Sequence, residues 1–241
     1  MKTRRLSEID LAVFVSLTPG HQLEQALRGY NAGGGSWSYD PIRASTPDIL
    51  EASMPLFGAA MRLDWAKIEE QIARACKRGE EQRSSNVGVG RVLFSAAREL
   101  KWAAAKFSMG RLPIGFGESV RYWSDIVLAD QHGQFIPFFD HRRAHGVADR
   151  SARRVIYSMQ NIWVRERNPD LASARLAVVR FPCEQDRRFV QVLFHEEGDL
   201  LSYEELNSRV STVYETWARI CREKAEPRRG TGTDGQSSWE F

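Results

Sequence analysis

Three residues near the middle of the chain, Asp125, Asp140 and Arg142, have types and spacing that could do chemistry together. Two flanking runs, at about 121–129 and 134–140, have a hydrophobic period of two and predict a β-hairpin. A hairpin brings residues that are distant in sequence to facing positions. The pattern therefore predicts that its strands hold these side chains near one another.

The loop of this hairpin decides which residues face each other. If His132-Gly133 is the two-residue loop, Gly133 supplies the positive φ of its second central position, and Asp125 lies directly opposite Asp140. Facing residues have Cβ atoms roughly 4.5–5.5 Å apart, where two bare carboxylates repel. Such a pair requires a cation, a shared proton or an arginine between the carboxylates.

Paired carboxylates predict a site for Mg²⁺ or Mn²⁺ at Asp125 and Asp140. Mg²⁺ is held by one or two carboxylates and completes its shell with water and phosphate oxygens. A metal so placed can activate water and neutralise a phosphodiester. Arg142 lies on the same face of the strand if the strand continues that far, so its guanidinium could bind the phosphate.

Two alternatives stay open for this hairpin. Both aspartates can lie near strand ends, point into solvent and be balanced by neighbouring arginines. A four-residue loop would pair Asp125 with Phe138 and separate the carboxylates. His141 and His145 are also weighed as metal ligands with Asp140, but ligands four residues apart need a helix, and this segment leaves a strand.

The elements around the hairpin predict an α/β fold, with a central mixed sheet of about four to five strands flanked by helices and a helical N-terminal region. Apolar residues at three- and four-residue intervals predict four firm helices, and two short helices are predicted near 22–29 and 47–60. The firm helices are expected at 64–78, at 86–106, from Asp149 to about 167, and from a capping box at Ser202-Glu205. Further strands are predicted near 107–116, at 175–181 and at 188–195.

This order of a helix, a strand meander with acidic residues, a helix and a further strand resembles the PD-(D/E)XK nuclease superfamily over about residues 86–195. The resemblance makes Asp125 the first acid, Asp140 the second and Arg142 the residue at the usual lysine position, with Glu99 as an acid from the preceding helix. It implies metal-dependent hydrolysis of nucleic-acid phosphodiesters, or an inactive relative. The chain departs from the pattern because arginine stands for lysine and cannot act as a base.

The charge pattern agrees with an anionic partner. Seven arginines fall within residues 142–167, although the net charge is only +3. Arg143, Arg150, Arg153 and Arg154 are the expected nucleic-acid contacts, although such a cluster is more often a solvated helix face. The alternative function is a non-catalytic module that binds nucleic acid or a protein partner within a larger complex.

Composition and length set the remaining expectations. The chain has 241 residues, of which 42% are apolar, enough for a real core. We expect an irregular and helical region at 1–83, a nuclease-like core at 84–226 and a disordered tail at 227–241. Acidic residues before the first apolar run argue against a secretory signal, and no run is long enough for a membrane helix, so we expect a cytoplasmic location.

Overall fold

The computed structural model describes residues 6–30, 38–52, 63–109, 111–114, 118–121, 125–143 and 145–225. Its helices are α1 (Glu8–Ser16), α2 (His21–Gly29), α3 (Asp40–Ile49), α4 (Trp65–Ala75), α5 (Glu80–Glu99), α6 (Arg150–Gln160) and α7 (Tyr203–Ala225). Its strands are β1 (Ala103–Lys106), β2 (Arg111–Ile114), β3 (Glu118–Arg121), β4 (Ile126–Asp130), β5 (Gly133–Asp140), β6 (Arg175–Arg180), β7 (Cys183–Glu184), β8 (Arg187–Arg188) and β9 (Gln191–Phe194).

Five strands form the main sheet in the order β1-β4-β5-β6-β9. Neighbouring strands are antiparallel except β5 and β6, which are parallel and are joined through α6. A parallel pair needs a long crossover, and the helix between the two strands supplies it. The predicted mixed sheet of about four to five strands flanked by helices is therefore confirmed.

Side chains of the central strands alternate between two buried layers. Phe135 and Phe139 of β5 enter the core beneath α3, α4 and α5. Ile136 and Phe138 enter the core beneath α1, α2, α6 and α7. Because successive residues of a strand point to opposite faces, both faces of β5 need a helical cover.

The helices predicted from Asp64, Asp149 and Ser202 are confirmed, and two of them begin at side-chain caps. Asp64 accepts a hydrogen bond from the Lys67 N–H at 2.9 Å and begins α4. Ser202 accepts from the Glu205 N–H at 3.1 Å at the start of α7. The helix predicted from Asp149 is α6, which continues as a π-helical turn at 161–165. Side-chain caps satisfy backbone donors that a helix start leaves free, which is why the starts of α4 and α7 could be predicted from the sequence. The side chain of Asp149 forms no such cap at the start of α6.

The helix predicted at 86–106 is wrong at both ends. α5 begins at Glu80, after Gly79 with a φ of 91°, and ends at Glu99. Lys101 has a φ of 52°, and the alanines that follow form β1 against β4. Alanine favours a helix in isolation, but the ladder to β4 outweighs that preference.

The N-terminal region is more ordered than the sequence indicated. The predicted helical N-terminal region is confirmed, and it includes α1, a core helix capped by Ser7 that was not among the predicted helices. The helix predicted near 22–29 is confirmed as α2. Part of the helix expected at 47–60 lies outside the described residues, as does the tail expected at 227–241. The domain division at 83/84 stays a prediction, although that position lies inside α5.

No helix in the described ranges is long and apolar enough to cross a membrane. The three cysteines, Cys76, Cys183 and Cys221, are free thiols.

Asn86 joins α5 to the start of α3. Its side chain is fully buried and accepts a hydrogen bond from the Ile42 N–H at 3.1 Å. Its amide donates to the carbonyl oxygens of Ser38 at 3.1 Å and Gln82 at 2.8 Å. All these backbone groups lose a partner if the amide is removed.

Substitution Asn86→Ala is expected to lower the free energy of unfolding by about 2–4 kcal/mol, because buried donors and acceptors are left unsatisfied. Urea denaturation followed by circular dichroism measures the change. Arg83→Ala, at an exposed position of the same helix, is the control and should change it by less than about 0.5 kcal/mol. Equal stabilities of the two variants would contradict this account.

Candidate functional site

The turn of the predicted hairpin lies one residue earlier than expected. Asp130 pairs with Gly133, so Gln131 and His132 form the loop and His132-Gly133 does not. The side chain of Asp130 accepts a hydrogen bond from the His132 N–H at 2.8 Å. An aspartate that bonds to the backbone two residues on stabilises a turn at its own position, and this bond explains the shifted loop.

The shifted register separates the two candidate carboxylates. Leu128 pairs with Phe135, and the same register places Phe138, not Asp140, opposite position 125. Asp125 precedes β4, and its carboxylate accepts a hydrogen bond from the Met109 N–H at 3.1 Å. The prediction that Asp125 and Asp140 face each other across the hairpin is therefore wrong.

Asp140 organises the loop that follows β5. Its carboxylate is fully buried and accepts hydrogen bonds from the backbone N–H groups of Arg142 at 3.2 Å and Val147 at 2.9 Å. Burial raises the pKa of Asp140 above its usual value, although these two donors oppose the rise. A Cβ atom at Gly146, whose φ is 67°, would lie 2.1 Å from the nearer carboxylate oxygen. The loop and the carboxylate thus fit only because residue 146 is glycine.

Arg142 bonds to the N-terminal helix. Its guanidinium lies 2.7 Å from the carboxylate of Asp10 and 3.4 Å from the hydroxyl of Ser7. Burial alone would raise the pKa of Asp10, but hydrogen bonds from Arg142, Ser7 and Tyr30 outweigh it and the pKa is lowered. The observed contacts give Arg142 a role in holding α1 against the end of β5.

Glu99 lies away from Asp140. It is exposed at the end of α5 and lines a cleft of about 430 Å³ that also includes Asp130 and His132 of the hairpin turn. The turn and Asp140 lie at opposite ends of β5, roughly 20 Å apart at 3.3 Å per residue. The structure does not bring Glu99 and Asp140 to one site.

The predicted metal is not tested by these contacts. Among the described residues there is no group of three or more His, Cys, Asp or Glu side chains that could hold a metal ion. Binding of Mg²⁺ or Mn²⁺ at Asp125 and Asp140 stays a prediction.

Two of the four arginines predicted to bind nucleic acid form ion pairs with acidic side chains. Arg143 lies 3.0 Å from Asp186. Arg150 lies 3.0 Å from both Glu196 and Asp199. The other two contact the protein in different ways: Arg153 donates to the carbonyl oxygen of Ala148, and the Nε of Arg154 is buried. Their contact with nucleic acid stays a prediction.

His141 is a buried residue whose setting the sequence did not reveal. Its ring stacks on Phe181 with centroids 5.4 Å apart and lies 5.8 Å from the ring of Tyr39. Burial lowers its pKa well below 6.5, and the charges of Arg43 and Arg188 lower it further. His145, the other histidine weighed as a ligand, is exposed. Phe139, two residues before His141, was the local signal in the sequence, and its ring lies 6.2 Å from the ring of His141.

Comparisons with known proteins identify relatives over nearly the whole length. The model of a family described as "Sliding clamp-binding bacterial toxin SocB" matches residues 9–227. A protein of Caulobacter vibrioides (strain NA1000 / CB15N), named DNA replication inhibitor toxin SocB, is 34% identical over 240 residues. The alignment covers 99% of this chain and 98% of that protein. No solved structure matches.

These similarities overturn the resemblance to the PD-(D/E)XK nucleases, and with it the assignment as a hydrolase. The match to a different family spans residues 9–227 and so includes the whole segment, 86–195, on which the resemblance was based. That resemblance depended mainly on the order of helices and strands. Such an order can recur in proteins with unrelated functions, because many chemistries share one fold.

Substitution Gly146→Ala is expected to cost several times more stability than Gly198→Ala. Both glycines have a positive φ, but only at Gly146 would the new Cβ meet the Asp140 carboxylate, since nothing lies within 4 Å of a Cβ at Gly198. Strain alone is worth about 1–2 kcal/mol, so Gly146→Ala should exceed about 3 kcal/mol. Thermal and urea unfolding measure both; equal costs would show that the contact with Asp140 is unimportant.

The buried His141 predicts a loss of stability in acid. Its folded-state pKa lies below 6.5, so stability is full above pH 6.5 and falls as the unfolded state takes up a proton below that pH. The slope of one such group approaches roughly 1.4 kcal/mol per pH unit.

Urea denaturation between pH 5 and 8 measures this slope. His141→Phe, which keeps a ring for the stack, should reduce it by about one proton. A slope that His141→Phe does not alter would contradict the assignment.

Proposed function

The chain belongs to the SocB family of sliding clamp-binding bacterial toxins, and on that premise we propose that it binds a bacterial sliding clamp and thereby inhibits DNA replication. The observation that carries the proposal is the extent of the similarity. Family model and relative both align along nearly the full chain, so the relatedness is not limited to one short element.

The contacts of the candidate residues favour binding over chemistry. Asp140 holds a loop through two backbone N–H groups, and Arg142 pairs with Asp10. These polar groups already have partners within the fold. This agrees with the alternative proposed from the sequence, a non-catalytic module that binds a protein partner.

A clamp-binding inhibitor acts by occupancy. A protein that covers a surface of the clamp excludes other proteins from that surface in proportion to its own bound fraction. Inhibition is therefore stoichiometric with the clamp and not with the DNA. The proposed site of action is the cytoplasm, where a bacterial clamp encounters DNA.

Direct binding tests the proposal. The purified full chain is expected to bind the purified sliding clamp with a Kd in the micromolar range or tighter, about −8 kcal/mol or more favourable. Calorimetry or surface plasmon resonance measures the Kd and the stoichiometry. No binding at protein concentrations of about 50 µM, well above that range, would refute the proposal.

A replication assay separates the clamp from DNA as the target. In primer extension by a clamp-dependent polymerase, the protein should inhibit synthesis, and added clamp should relieve the inhibition. Added double-stranded competitor DNA should not. Relief by DNA and not by clamp would indicate nucleic-acid binding, the other part of the alternative drawn from the sequence.

A further inference from the structure

The strand β9 lies at the opposite edge of the main sheet from β1. It pairs with β6 on one side, and no described strand pairs with its other side. The strands β7 and β8 continue this hairpin in the same register, since Ala177 faces Phe194 and Cys183 faces Arg188. The outer margin of the hairpin therefore runs along residues 187–195.

Residues 189–194, which we call the β9 edge, lack the features that protect an edge strand from pairing with another strand. Their sequence, Phe-Val-Gln-Val-Leu-Phe, contains no charged residue, no proline and no glycine. All six side chains are exposed or partly exposed, Phe189 to 36%. The edge strand β1, by contrast, carries Lys106. Natural proteins place charges or prolines on sheet edges to prevent association, so an apolar and uncharged edge favours the addition of a strand.

Two hydrogen bonds show which backbone groups of this margin point toward the rest of the sheet. The N–H of Phe189 donates to the carbonyl oxygen of Pro182 at 3.2 Å, and the N–H of His195 donates to that of Leu176 at 3.0 Å. Successive residues of an antiparallel strand bond alternately toward and away from the partner strand. The residues of the β9 edge whose backbone groups point outward are therefore Val190, Val192 and Phe194.

A second copy of the chain can pair with these groups about a two-fold axis at Val192. In that antiparallel register Val192 faces its own counterpart, and Val190 faces Phe194 of the second copy. Because all three residues have outward backbone groups, each of these pairs is a hydrogen-bonded pair. The side chains that meet are β-branched or aromatic, a combination that stabilises neighbouring strands.

Charges beyond the two ends of the β9 edge favour the antiparallel orientation. Arg187 and Arg188 precede the edge, and Glu196 and Glu197 follow it. The two-fold register brings Arg187 near Glu197 of the second copy and Arg188 near Glu196. A parallel copy in register would instead bring like charges together, which destabilises the pairing.

Other charges near the two ends weaken this attraction. The arginines and acids that already face one another within the chain are Arg187 and Glu184, Arg143 and Asp186, and Arg150 and Glu196. Exposed ion pairs contribute little to an association in any case. The backbone groups and apolar side chains of the β9 edge therefore supply the attraction, and the charges select the orientation.

We propose that the β9 edge is a homodimer interface, at which two copies of the chain pair antiparallel through β9 and join their main sheets into one. A two-fold dimer uses the same surface on both copies, so an edge that is complementary to itself is sufficient. The inference does not depend on the proposed function, because it needs only this chain.

Sedimentation equilibrium of the purified full chain tests for the dimer. With a Kd in the micromolar range, the average mass should rise from that of a monomer toward that of a dimer between about 1 and 100 µM. A mass that stays monomeric at about 100 µM would overturn the proposal.

Proline at position 192 tests the backbone part. Val192→Pro removes the outward N–H at the axis and leaves the bonds of β9 to β6 in place, as proline is tolerated on edge strands in this orientation. Dimerisation should weaken by about tenfold or more. Val192→Thr keeps the N–H and the branched shape and is the matched control, with a Kd expected within about twofold of the wild type. Thermal unfolding verifies that each variant is folded.

Charge exchange tests the orientation without altering the backbone. Arg187→Glu and Glu197→Lys should each weaken dimerisation by about threefold, because each brings like charges together across the axis. The double variant Arg187→Glu/Glu197→Lys exchanges the charges and should restore dimerisation toward the wild type. A general loss of folding would not be restored in this way, so this series decides the matter if Val192→Pro does not fold.

Three further outcomes would refute the homodimer. A dimer that Val192→Pro and both single charge variants leave intact would be held by another surface. A double charge variant that dimerises no better than the single ones would exclude the antiparallel register. If the wild type is monomeric and Val192→Pro weakens its binding to the purified clamp, the β9 edge pairs with the clamp and not with a second copy.

Discussion

The rest of the structure depends on the burial of both faces of the parallel pair β5 and β6. All residues of β5 from Phe135 to Asp140 are buried, and β6 is buried from Leu176 to Val179. A pair of strands covered on both faces requires helices on both sides. The N-terminal segment meets that requirement by contributing α1 and α2 to one layer and α3 to the other.

A second constraint lies at the end of β5. The carboxylate of Asp140, the last residue of this strand, is buried where the chain enters the loop that follows. A buried charge is costly unless hydrogen bonds stabilise it, and the loop after Asp140 supplies two backbone donors. The neighbouring Arg142 pairs with Asp10 on α1 and so connects this loop to the N-terminal helix. Asp140 and Arg142, which the sequence analysis assigned to an active site, thus connect elements of the fold.

The function that the family indicates is also consistent with where groups remain accessible. The polar residues near the end of β5 are buried or paired, whereas the apolar edge of β9 is partly exposed. Partner binding uses exposed surface, while metal-assisted hydrolysis needs carboxylates gathered around one ion. In the described part of the chain, no group of three or more His, Cys, Asp or Glu side chains that could hold a metal ion is found.

The sequence by itself determined the class of the fold and several of its elements. Periodicity and caps are local signals, so α4, α6, α7 and the mixed sheet could be predicted from them. The sequence also contained a clue to the turn, because Asp130 precedes His132 by two residues and its carboxylate accepts a hydrogen bond from the His132 N–H.

Only the tertiary structure decided how distant segments meet. It decided that Ala103–Lys106 is a strand, because the residues of β4 with which it pairs lie 20 to 26 positions further along the chain. It also decided that α1 is a core helix and that the Asp140 carboxylate accepts hydrogen bonds from the loop after β5. A carboxylate looks the same in a sequence whether it binds a metal or caps backbone N–H groups, since its role depends on long-range contacts that no local pattern records.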